Sequence, residues 1–103
     1  MKAYKSLFMS AYLLVAGGAT IVPGDTRADA RLKADIVKGI GMYELAAGGS
    51  HRPRIHRTER LSDDSEGLHE LWVVDRNGLK IPYVVTLIPD GEGGTFIKIG
   101  RKD

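Results

Sequence analysis

Residues 68–88 read LHELWVVDRNGLKIPYVVTLI, and this stretch decides the fold. Leu68, Glu70, Trp72 and Val74 alternate with His69, Leu71, Val73 and Asp75, the two-residue period of a strand with distinct faces. Leu79, Ile81, Tyr83, Val85 and Leu87 place apolar side chains on one face of a second strand. Asn77-Gly78 between them is a strong hairpin signal, because both central residues of a type I′ turn need positive φ. Pro82 has no N–H for a ladder, so the second strand is expected to be locally an edge or to carry a bulge there.

Reading outward, Asp90–Gly94 (DGEGG) is a turn and Thr95–Ile99 a last strand. Upstream, Asp63–Gly67 is a polar turn, and Arg54–Leu61 is a weakly marked first strand whose clear apolar members are Ile55 and Leu61. Arg31 to about Ala47 reads as a helix. Leu32, Ile36, Ile40 and Tyr43 fall on one face, while Lys33, Asp35, Lys38 and Glu44 are expected in solvent. Gly39 and Gly41 weaken that helix unless something packs against its backbone, and Gly48-Gly49 supplies its stop. The expected fold is α+β: one amphipathic N-terminal helix packed on a three- or four-stranded antiparallel meander.

The chain has 103 residues, 43% hydrophobic and 27% charged, which is ordinary globular composition and room for one domain. It has no cysteine, which excludes a disulfide framework, a thiol nucleophile and a cysteine-based zinc site. Residues 1–30 have the order of a secretory signal peptide. Lys2 and Lys5 precede an apolar run from Leu7 to Val22, Pro23-Gly24 breaks it, and Ala28-Asp29-Ala30 offers small residues for cleavage. Sixteen diluted apolar residues are short for a membrane span, so cleavage is expected and no stable span after it. Cleavage after Ala30 gives a mature domain of residues 31–103 beginning at Arg31, with 12 basic and 11 acidic side chains. A net charge of +1 gives no reason to expect nucleic acid as partner, and the expected location is periplasmic or secreted.

Four arginines, Arg52, Arg54, Arg57 and Arg60, lie within His51–Arg60, and Arg54, Arg57 and Arg60 are candidate binding residues on an outer strand. The acids Glu59, Asp63, Asp64 and Glu66 close by offer internal ion pairs as the alternative. His51 and His56, with Glu59 or Asp63, are a second reading as metal ligands, although their spacing matches no metal signature. Trp72 is core if Leu68, Trp72 and Val74 face inward, and an exposed binding anchor if Leu71 and Val73 do. Ser50, Ser62 and Ser65 sit in no nucleophile turn, and the Gly-rich 91–94 turn precedes no helix. No enzyme activity and no cofactor are expected.

The stretch LHELWVVDRNGLKIPYVVTLIPDGEGGTFIKI, preceded by one helix and a leader, resembles the small exported PepSY-type modules. In those, a helix pairs with a short antiparallel sheet whose strands flank an Asp-x-x-Gly turn, as Asp75–Gly78 is here. A Gly-rich turn before the last strand corresponds to Asp90–Gly94. The likeness spans about residues 32–99; the longer second hairpin strand and Pro82 depart from it. A cystatin-like helix wrapped by a meander is similar in order. Both resemblances imply protein contacts, protease inhibition among them. The function expected is an exported, non-enzymatic module that binds another protein, as an inhibitor or envelope accessory factor, or pairs with a second copy of itself. The alternative is a periplasmic ligand- or metal-binding protein using His51–Arg60.

Overall fold

The structure, a computed structural model, describes residues 22–102. It contains one helix, α1 (Ala30–Ala46), then four strands: β1 (Arg54–Asp63), β2 (Leu68–Arg76), β3 (Leu79–Pro89) and β4 (Thr95–Arg101). The strands form one antiparallel sheet in the order β1-β2-β3-β4, a simple meander in an α+β fold. The β2–β3 turn is the one its dipeptide specifies: Asn77 and Gly78 both have positive φ, +53° and +90°, and Asp75 Oδ1 accepts from the Gly78 N–H at 2.8 Å. β2 and β3 stay in unbroken register from Leu68↔Leu87 to Arg76↔Leu79.

Pro82 lies on β3, an inner strand, and causes no bulge against β2. Its carbonyl accepts from the Lys102 N–H at 3.0 Å, so its missing donor points toward the β4 side, just beyond Arg101 where β4 ends. The Pro82–Lys102 rung has this one bond and lacks the reciprocal one, and the strand is locally an edge in that sense alone.

Trp72 is fully buried, pairs with Tyr83, and joins Val74, Ile81, Val85 and Leu87 with Ile36 and Ile40 of α1 in the core. Helix and register depart from expectation at one rung. Glu44, expected in solvent, continues the Ile36–Ile40 ladder inward and is 1% exposed, whereas Tyr43 is 47% exposed. Gly39 and Gly41 do sit where something packs against the helix. A Cβ on Gly41 would lie 2.2 Å from the His51 carbonyl oxygen, and one on Gly39 would lie 2.6 Å from Ile99 Cδ1. The helix ends in a Schellman motif: Gly48 has φ +90°, its N–H donates to Leu45 O and the Gly49 N–H to Glu44 O.

Residues 1–21 of the expected leader lie outside the described residues, but Val22–Asp29 belong to the fold. This strap runs beside the outer side of β1. The Thr58 N–H donates to Pro23 O at 2.9 Å, and the Asp25 N–H donates to Thr58 O at 3.1 Å. Gly24 permits that approach, with φ +108° and Thr58 O 2.2 Å from where a Cβ would be. Ala28 is buried in the core. Asp29 caps α1, its Oδ1 accepting from the Leu32 N–H at 2.8 Å, a contact whose loss costs about 1 kcal/mol. The expected cleavage triplet Ala28-Asp29-Ala30 is therefore a core residue, a helix cap and a first helical residue.

Candidate functional site

The arginines of β1 are not one patch. Register shifts at His56 and Leu61 bend the strand, as bulges commonly do on a sheet edge. Arg54 stands opposite Asp75 and Arg57 opposite Val73, both on the face away from α1; Arg60 stands opposite Glu70, on the helix side. Arg57 pairs with Glu59 at 2.5 Å, and Arg60 reaches Asp25 of the strap at 3.1 Å. The backbone of Thr58 is already held by the strap, so the middle of this edge is not open to another strand. Trp72 leaves the set of surface contacts: it is 0% exposed and its indole N–H donates to Glu70 Oε1 at 3.0 Å. His51 and His56 are exposed and, among the described residues, join no cluster of metal-ligating side chains.

Two carboxylates lie in the core, each with a full set of donors. Glu70 accepts from the Thr26 hydroxyl at 2.6 Å, the Arg27 N–H at 2.8 Å and the Trp72 indole. Glu44 accepts from Arg76 through two parallel bonds, Nε at 2.8 Å and a terminal nitrogen at 2.7 Å, and from the Tyr83 hydroxyl at 2.5 Å. Arg76 holds the Glu44 carboxyl below the ordinary carboxylate range, against the opposing effect of burial. Burial, then the Glu44 hydrogen bond, pushes the Tyr83 phenol up to about 12. The lone acid on the apolar Leu68–Trp72–Val74 face was a visible sign of Glu70. The sign of Glu44 was its place four residues after Ile40.

Beside Glu44–Arg76 lies a cleft of about 480 Å³ at one end of the sheet. Arg52, Arg54 and Arg76, the Gly48–Ser50 loop and the Asn77-Gly78 turn line it. Asp75 is its one acid and is held by the Gly78 N–H and Lys80. Arg52 and Arg54 form no ion pair among the described residues. The lining is thus cationic, with glycine backbone close by.

The face of the sheet opposite α1 carries a polar row with apolar pairs on either side of it. His69, Thr86 and Lys98 stand side by side across β2, β3 and β4. Thr86 Oγ1 lies 2.9 Å from His69 Nδ1, and His69 Nε2 lies 3.0 Å from Asp64. Because the carboxylate can only accept, it is Nε2 that carries a proton toward Asp64. The order hydroxyl–imidazole–carboxylate is that of a nucleophile relay, with Thr86 4% exposed in a shallow depression of about 250 Å³ that Glu66, His69 and Lys98 also line. Asp64, Glu66 and His69 bring ligand atoms within 4.8 Å of one another. A metal there would have to displace both the proton on Nε2 and Lys98, whose Nζ lies 2.7 Å from Glu66. On one side of the polar row Leu71 pairs with Val84 and Val73 with Pro82, Leu71 and Val73 being buried, and on the other Ile88 pairs with Phe96. Phe96 is 64% exposed, and no helix among the described residues covers this face. No protein-family model, curated protein or solved structure matches the chain.

Proposed function

We propose that this chain is an exported, non-enzymatic module that binds another protein through the face of its sheet opposite α1. The observation that carries the reading is that no helix among the described residues covers this face, where Phe96 is 64% exposed and Pro82, Val84 and Ile88 are half-buried, with Arg54, Arg57, Lys80 and Lys98 among them. Exposed apolar side chains interleaved with charged ones on an uncovered sheet face suit contact with another protein. The leader-like residues 1–21 support export, and the PepSY- or cystatin-like order of elements supports a role in protein contacts. A photo-crosslinking amino acid at Phe96 on this face, and another at Lys33 on α1, test the site in cell-envelope preparations. Adducts of discrete mass from position 96 and none from position 33 are expected. Equal labelling from both positions, or from neither, defeats the reading.

The cleft favours a second reading, a small-anion-binding protein. It brings Arg52 and Arg54, from the segment with the arginines, to a space of about 480 Å³, within the usual range for small-ligand pockets. Guanidinium groups beside glycine backbone suit a carboxylate or phosphate. Calorimetry with citrate and with inorganic phosphate decides it: heat that an Arg52→Gln/Arg54→Gln variant loses supports the cleft, and no heat excludes it.

A further inference from the structure

The strap Val22–Asp29 is held by the fold at every few residues. The Pro23 carbonyl and the Asp25 N–H complete the hydrogen bonding of Thr58. The Asp25 carboxylate meets Arg60, Ala28 enters the core, and Asp29 caps α1. The decisive contact is with Glu70. This carboxylate is 0% exposed and no cation reaches it among the described residues. Of its three donors, the Thr26 hydroxyl and the Arg27 N–H belong to the strap. Thr26 is itself positioned by the Ala28 N–H, which donates to its oxygen at 3.1 Å. A chain cut after Ala30 would leave Glu70 with the Trp72 indole as its one remaining donor of the three and would strip the cover from that end of the core. It would also leave α1 uncapped and the outer side of β1 bare.

We propose that export processing of this chain falls before Val22, after Ala19, and that the mature protein retains the strap as the part of its fold that satisfies Glu70. The inference rests on the export reading above. Lys2 and Lys5 are followed by nine largely apolar residues, Leu7–Val15, and then by Ala16-Gly17-Gly18-Ala19, a run of small residues with Gly17 and Ala19 at the two positions that cleavage requires to be small. Nine residues suffice for the apolar region of a signal peptide, so the run from Ala16 onward need not be counted in it. The product would carry 13 basic and 13 acidic side chains, since only Lys2 and Lys5 are lost among the charged residues, and its net charge would be zero.

Intact-mass measurement of the exported full-length gene product tests this directly. A species beginning at Thr20 is expected. A species beginning at Arg31 overturns the inference while leaving export standing, and an exported species that retains Met1 overturns both. Two variants separate the cut sites independently of the fold. Gly17→Arg/Ala19→Arg is expected to accumulate as uncleaved precursor, and Ala30→Arg, at an exposed position, is expected to be processed as the wild type is. The reverse pattern assigns the cut to Ala30 and overturns the proposal.

Discussion

Glu44 shows how a single charge is made tolerable in a small core. The carboxylate is 1% exposed, and its two bonds to Arg76 and one to Tyr83 replace the water it has lost. Its folded pKa lies below the ordinary 4.5, with the Arg76 hydrogen bonds as the largest cause. A depressed carboxylate stabilises the fold above its unfolded pKa, and that contribution is lost as pH falls through the folded value. Glu44→Gln, which leaves Arg76 without its counter-charge, is expected to cost about 3 kcal/mol at neutral pH. Arg76→Met is expected to cost more, because it strands the more deeply buried partner. Denaturant midpoints below pH 5 should fall more steeply in the wild type than in Glu44→Gln; parallel slopes would show that Glu44 is not the titrating group. Tyr83 gives the opposite limb. Its pKa is raised to about 12, so its contribution is complete below the ordinary value of 10 and lost as pH climbs toward 12. In a phenolate absorbance titration one tyrosine should ionise late, and Tyr83→Phe should remove that step at a cost of about 1.5 kcal/mol.

At the scale of elements, α1 offers a paired test of why its glycines are there. In an exposed helix, Gly→Ala gains up to about 1 kcal/mol. At Gly41 a new Cβ meets the His51 backbone, which cannot turn aside, and Gly41→Ala is expected to destabilise by about 1–3 kcal/mol. At Gly39 it meets only the tip of Ile99, which can rotate, so Gly39→Ala should stay within about 1 kcal/mol of wild type. Thermal unfolding of the two variants checks the order, and a more damaging Gly39→Ala would mean that α1 lies differently on the sheet. The elements were legible in the sequence to the degree that their causes are local. Asn77-Gly78, the β2 and β3 alternation and the Gly48 stop each act within a few residues, and each was readable. Glu44 was misplaced, and the choice between edge and bulge at Pro82 stayed open, because what decides them is distant: Arg76 and Tyr83 for the one, the end of β4 for the other. The strap was hidden for a further reason. Small residues near a chain start look the same as a cleavage signal or as a tight crossing such as Gly24 over Thr58, and only the neighbour tells them apart.

For the whole molecule, the disposition of edges and faces decides where a partner can bind. Each outer strand is closed at mid-length: β1 by Pro23 and Asp25 at Thr58, and β4 by the Tyr43 hydroxyl, which donates to Ile99 O at 3.0 Å. Such closures oppose strand addition, the route by which an open edge recruits another chain. One face is covered by α1, which leaves the opposite face as the broad uncommitted surface among the described residues. The arginines of β1 then act at its rim, where charge sets approach and salt sensitivity more than affinity. With the partner captured at position 96, the triple reversal of Arg54, Arg57 and Arg60 to Glu should slow association and invert its salt dependence, screened repulsion replacing screened attraction, without abolishing it. That variant should also loosen the strap slightly, since a carboxylate at position 60 faces Asp25 across an exposed contact worth under about 1 kcal/mol. Val84→Asp, at the centre of the face and outside the helix-side core, should instead abolish binding and leave the far-UV circular dichroism unchanged. Binding that survives Val84→Asp and vanishes with the arginine reversal would return the contact to the β1 edge, and the strap would then have to release Thr58 for a partner strand to take its place.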